Sequence, residues 1–238
     1  MLFFLSSILD SVSRRQMIYF TSDQHFGHVN IIKYTSRPFD WSEDGAYECA
    51  VHIRDEYNRV VSDDDLVFHL GDYSLLKSAD RESFIPLISS LKGHKVLILG
   101  NHDSESKTFY KSCGFLDVVK ELKFGDFYLC HYPLSDEDRG DKNAEVYFRH
   151  FKVSNCSTII HGHTHQRNPK CSDNIRRFNV CVDYPENLFK PISIQGIPEK
   201  EIESETAPKI GLVAHFNLSL VAHFNFGLSA RFNFGLIA

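Results

Sequence analysis

Ala46, Ala50, Ile53, Tyr57 and Val60 recur at alternating intervals of four and three, which predicts one face of an amphipathic helix over residues 43–60. Ile18-Tyr19-Phe20 ahead of it and Leu66-Val67-Phe68 behind it read as strands, with Asp63-Asp64-Asp65 as a polar turn before the second. Phe84, Leu87, Ile88 and Leu91 repeat the helical stripe, and Gly93 is placed to end that helix. Val96-Leu97-Ile98-Leu99 is apolar throughout and stops at Gly100, as expected of a strand buried on both faces. Beyond residue 116 the pattern turns to strands. Segments 117–123 and 127–131 read as a hairpin about Gly125-Asp126, followed by Thr158-Ile159-Ile160 and Phe178–Val182. Helices early and strands late predict an α/β fold in which two sheets pack as a β-sandwich flanked by helices, in place of one doubly wound sheet.

The two ends of the chain differ from this pattern. In MLFFLSSILDSVSRRQ the apolar stretch falls well short of the ~20 residues of a spanning helix. Its Arg14-Arg15 follow that stretch where a signal peptide would have the basic residues first. Residues 1–16 therefore read as an extension, with Met17 as an alternative start and 17–197 as the folded domain. The charged run PEKEIESETAPK marks a linker over 198–210. The tail, 211–238, carries LVAHFNLS, LVAHFNFG and LSARFNFG, a repeat of period eight that contains His215 and His223. An even period keeps the same residues on the same face of an extended chain. We read this tail as an expanded extension outside the fold and outside catalysis.

Charge narrows the partners. A formal charge of −5 with no basic stripe argues against a protein that grips duplex nucleic acid by its phosphates, and leaves nucleic acid open as a substrate. The six cysteines contain no C-x-x-C pair and read as buried free thiols of a reducing compartment, so the cytoplasm is expected and no membrane contact.

Five of the apolar runs end in metal-ligand side chains. IYFTSDQH brings Asp23 and His25, VFHLGD brings Asp72, and VLILGNHD brings Asn101, His102 and Asp103; FYLCH brings His131, and TIIHGHTH brings His163 and His165. Carboxyl ends of parallel strands converge on one sheet edge, so these groups are expected at a common place. The nitrogen and oxygen mixture suits hard-to-borderline divalent cations, not a thiolate site. Asp23 and His25, like His163 and His165, are two apart, so an extended backbone would aim both side chains the same way. Gly71, Gly100 and Gly162 each precede a candidate ligand, where close backbone approach is needed.

The ordered set D-x-H, G-D, G-N-H-D, H and G-H-x-H resembles the calcineurin-like metallophosphoesterase superfamily at every motif, over residues 17 to 197. The resemblance implies a metallophosphoesterase-type sandwich and two divalent ions, with manganese first and iron, zinc or nickel as alternatives. It implies that Asp23, His25 and His165 hold one ion, that Asn101, His131 and His163 hold the other, and that Asp72 bridges them. It further implies that His102 is a non-ligand catalytic residue whose ring Asp103 orients. The implied reaction is hydrolysis of a phosphomonoester or phosphodiester by in-line attack of a metal-bridging hydroxide. The alternatives are a nuclease on the same scaffold, or a non-enzymatic protein-binding scaffold; the latter would not need the complete ligand set. His28 and Arg37 are further candidates to touch substrate phosphate. His52, off the helical stripe, is expected to be solvated, and His69 and His161 to pack within strands.

Overall fold

The computed structural model describes residues 16–197, together with the short pairs 223–224 and 228–229. The chain divides into two units, Met1–Pro198 and Glu199–Ala238. In the second unit His223-Phe224 pairs antiparallel with Leu228-Ser229. The N-terminal extension, the linker and the rest of the repeat lie outside the described residues.

Strands and helices alternate through the first half of unit one. β1 (Ile18–Thr21) is followed by α1 (Val29–Tyr34), α2 (Glu43–Val60), β2 (Leu66–His69), α3 (Arg81–Ser89), β3 (His94–Ile98), α4 (Lys107–Ser112) and β4 (Phe115–Val119). The second half holds β5 (Leu122–Phe124), β6 (Phe127–Leu129), α5 (Lys142–Ser154), β7 (Thr158–His161), β8 (Arg176–Asn179) and β9 (Ile192–Ser193). The first sheet runs β4-β3-β2-β1-β9, parallel except where β9 pairs antiparallel with β1. The second runs β5-β6-β7-β8, parallel from β6 onward.

Helix α2 has the predicted bounds because its ends and its stripe agree. Ser42 Oγ accepts the Gly45 N–H at 3.0 Å, and Glu43 and Asp44 complement the positive end of the helix dipole. Ala46, Ala50, Ile53 and Tyr57 are buried, and the last three pack with Val67 and Leu97 on the outer face of the first sheet. The inner faces meet through aromatic rings. Phe20 stacks on Phe68 at 5.7 Å and meets Phe127 edge-on at 6.3 Å, while Phe68 lies 5.2 Å from Phe124. Helix α5 covers the far side of the second sheet with Ala144, Phe148 and Phe151, against Tyr128 and Ile159.

Two expectations need correction. Segment 117–123 is two strands: β4 closes the first sheet at Val119, the chain crosses over Lys120-Glu121, and β5 opens the second sheet. The hairpin about Gly125-Asp126 is therefore β5 with β6, pairing Phe124 opposite Phe127. Helix α3 ends at Ser89, not near Gly93. Gly93, at φ +83°, instead serves the turn into β3, where an added Cβ would come 2.9 Å from the Asp65 carbonyl. Among the described residues no helix is long and apolar enough to cross a membrane.

Candidate metal centre

The parallel strands β1, β2 and β3 of one sheet and β6 and β7 of the other bring their carboxyl ends to the same rim of the sandwich. Backbone bonds tie the two strand exits of the first sheet together: Asp23 N–H donates to Gly71 O at 2.9 Å and His25 N–H to Asp72 O at 3.0 Å. In the second sheet Gly162 N–H donates to His131 O at 3.0 Å, and across the sandwich His163 N–H donates to the Asp23 carboxylate at 3.1 Å.

The paired side chains do converge, but not through extended backbone. Asp23, His25, Asp72, His163 and His165 have φ of 60°, 51°, 53°, 72° and 51°. Each sits in the left-handed region that L-residues seldom adopt, a conformation costing ~1–3 kcal/mol that clusters at functional sites. The glycines serve close approach. A Cβ at Gly162 would lie 2.4 Å from Asp23 Oδ2, and one at Gly100 2.2 Å from Asp72 Oδ1.

The donors form two overlapping groups. Asp23 Oδ1 is 3.9 Å from His25 Nε2 and 3.8 Å from His165 Nε2. Asp72 Oδ2 is 3.5 Å from that same His25 nitrogen and 3.4 Å from His131 Nε2. Asn101 Oδ1 lies 3.0 Å from both His131 Nε2 and His163 Nδ1. Asp72 thus stands between the Asp23–His25–His165 set and the Asn101–His131–His163 set. The floor is buried: Asp23, His25, Asp72 and His131 are at most 3 % exposed, whereas Asn101 and His102 open to solvent.

These residues fit divalent cations on their own geometry. Both ring nitrogens of His25 are buried with no hydrogen-bond partner among the described residues, and burial pushes the ring's pKa down to about 3 despite the nearby Asp23 and Asp72. A buried neutral imidazole with an uncommitted lone pair is what a metal takes. His131 is fixed by a backbone bond: Nδ1–H donates to Leu70 O at 2.7 Å, leaving Nε2 for the site. Burial alone would lower the His131 pKa, but the Asp72 carboxylate outweighs it and raises it to about 9. Burial raises and His131 lowers the Asp72 carboxyl, and the net is well below the usual range.

His165 is oriented by a residue outside the motifs. Its Nδ1–H donates to Asp183 Oδ2 at 2.7 Å, so Nε2 faces Asp23. Asp183 is in turn gripped by Arg37, Nε to Oδ1 at 2.7 Å and Nη2 to Oδ2 at 3.1 Å. Arg37 also donates to the carbonyls of Asp23 (2.8 Å) and Gln24 (2.9 Å). It is 5 % exposed and wholly engaged, so it does not reach for substrate phosphate; it braces the ligand loop from behind. The signal for Asp183 was present, since FNVCVD is a sixth apolar run ending in a carboxylate. Cys181 also escaped the sequence reading: its buried thiol donates to Asp23 Oδ2 at 2.9 Å.

Asp103 does not orient the His102 ring. Its carboxylate accepts from the backbone N–H groups of Asp72 (2.7 Å), Gly100 (2.8 Å) and Tyr73 (3.0 Å), and from Tyr110 Oη at 3.3 Å. Those four donors commit it to holding the loops after β2 and β3 together. His102 instead anchors its backbone N–H on Asp72 Oδ1 at 2.9 Å, with its ring 5.4 Å from that of His25. His28 lies beside both, 5.4 Å from His25 and 6.3 Å from His102. His52 is half-buried, not solvated, its ring against Phe189 and Phe39. His69 packs in the core on Tyr57, and His161 is likewise buried. Asp65 does belong to a turn, accepting from Ser62 and Met17 N–H groups.

A two-sheet sandwich with aspartate, histidine and asparagine donors at one rim is the arrangement of the calcineurin-like phosphoesterase superfamily. Residues 17–181 match the calcineurin-like phosphoesterase superfamily domain, and the chain belongs to that metal-dependent family. It is 33% identical over 181 residues to an uncharacterised protein of Methanocaldococcus jannaschii, covering 74% of this chain and 86% of that one. The Gene 66 protein of Mycobacterium phage D29 is 25% identical over 185 residues, covering 70% and 87%. Among solved structures, the protein of unknown function AQ665 from Aquifex aeolicus superposes with a TM-score of 0.63 at 28% identity, covering 77% of this chain and 98% of that one.

Proposed function

We propose that this protein is a dinuclear metal-dependent hydrolase of phosphoric esters, acting on a phosphodiester or phosphomonoester. The observation that carries the reading is the convergence of Asp23, His25, Asp72, Asn101, His131, His163 and His165 from five strand ends on one rim. Asp23, His25 and His165 would hold one cation and Asn101, His131 and His163 the second, with Asp72 shared. Two cations bound there would supply Lewis-acid chemistry and positive charge towards the phosphate oxygens.

The chain's own groups do the rest. The two carboxylates leave a net charge of about +2 on a doubly loaded site, which favours an anionic ester. Leu70 O and Asp183 fix the His131 and His165 tautomers, so the ligand nitrogens need no reorganisation when charge develops. His102, held by its backbone to Asp72 and open to solvent, is placed to give a proton or hydrogen bond to the departing oxygen. That role is worth ~10²–10⁴ in rate.

Purified protein loaded with manganese should hydrolyse bis-p-nitrophenyl phosphate or p-nitrophenyl phosphate, and chelation should stop it. Protein that carries two equivalents of metal yet turns over neither ester would refute the enzymatic reading and favour a binding scaffold.

A further inference from the structure

Loops leaving β1, β2 and β3 enclose a cleft of about 700 Å³ beside the donors. Residues 27–30 form one wall, 74–77 a second and 104–105 a third, with 41–43 closing the far side. His28 belongs to both places, lining the cleft while its ring lies 5.4 Å from His25 and 6.3 Å from His102. The cleft therefore adjoins the donor cluster through His28, which is where a substituent of a phosphate held at the donors would extend if the phosphoesterase reading holds.

The cleft has a built aromatic platform. Trp41, the single tryptophan of the chain, is 59% exposed. Its Nε1–H donates to Asn30 Oδ1 at 3.1 Å, and the Lys33 ammonium lies 4.4 Å from the ring centroid. An indole pinned at its edge and braced by a cation offers a flat apolar surface at little cost in ordering. Two basic groups around the cleft are engaged by acids: Lys77 pairs with Glu43 at 3.2 Å, and Arg81 pairs with Glu105. Leu75 and Leu76 add apolar wall, while Ser74 Oγ is buried without a protein partner. A flat ring suits a lining with apolar walls and few polar groups.

We propose that this cleft holds the nucleobase of a nucleoside phosphate ester, stacked on Trp41, with its phosphate at the donor cluster. The sole tryptophan reports on its own occupancy. Manganese-loaded protein is titrated with adenosine 5′-monophosphate and with ribose 5-phosphate, following Trp41 fluorescence and binding heat. The nucleotide should quench Trp41 and bind roughly five- to hundredfold more tightly than the sugar phosphate, the range of one base stack. Trp41→Ala should abolish that preference and Trp41→Phe keep most of it, with melting temperatures unchanged because the side chain lies at the surface. Equal affinities in the natural protein, or a preference that survives Trp41→Ala, would overturn the proposal. Turnover of bis-p-nitrophenyl phosphate by the same preparation separates the two readings. Turnover without base preference removes only the cleft's role, and base preference without turnover removes only the hydrolase.

Discussion

At the scale of single residues, the side chains of this rim divide into those that face the cations and those that hold them. Asp72→Asn removes a charge shared by both donor sets, so it should abolish hydrolysis and lower metal content at both positions. His102→Ala should keep two equivalents of metal, by elemental analysis, and lose most turnover. An equal loss of metal in both variants would merge the two roles. Asp183→Ala frees the His165 ring and should weaken metal binding ~10–100-fold by competition with a chromophoric chelator. Arg37→Met leaves the buried Asp183 carboxylate without its guanidinium and with only His165 as a partner, at a cost of ~3–5 kcal/mol in urea unfolding. Burial would raise the Asp183 carboxyl, yet Arg37 and His165 hold it at about 2. A folded-state value below the ordinary range stabilises fully above about pH 4 and fades as pH falls towards 2. The stability gap between the natural protein and Asp183→Asn should therefore narrow in that window. The facing residues were legible because each ends an apolar run in a ligand-type side chain. The holders were not, because Arg37 and Asp183 meet across 146 positions and no local pattern records such a pair. Asp103 was visible but misassigned, since motif position says nothing about which donors surround a carboxylate.

Elements were legible where one periodicity governed a long stretch. Helix α2 could be bounded from its stripe alone, and the Ser42 cap agrees with that start. Helix α5 carries the same spacing in Ala144, Phe148 and Phe151, yet it went unread amid segments scanned for strands. Short strands were harder. The passage from β4 to β5 looks continuous in hydropathy, because each strand is half-buried, and only the packing reveals that Val118 and Phe124 serve different sheets. The strand exits give a sharp test of how the elements aim the site. Gly162→Ala puts a methyl against Asp23 and should reduce metal affinity at least tenfold, measured by chelator competition. Its melting temperature without metal should fall by only a few degrees, because β7 itself ends before that position.

For the whole molecule, metal and fold are linked. Cations bound to residues of both sheets should raise the melting temperature of the manganese-loaded protein above that with chelator, in proportion to the logarithm of free metal. The family motifs made the sandwich legible, but the order of its strands could not be read from any of them. That order has a consequence for how the chain must be made. β9, near residue 193, pairs with β1, the first strand of the domain, which would otherwise lie at the sheet's edge. A chain ending at residue 198 should keep the melting temperature and turnover of the full protein. One ending at 190 should leave β1, the carrier of Asp23 and His25, as a bare edge prone to self-association, seen by sedimentation. Synthesis therefore delivers the first donors early and their lock last. Until β9 emerges from the ribosome, the nascent domain carries two of its seven donors, Asp23 and His25, on an unfinished border.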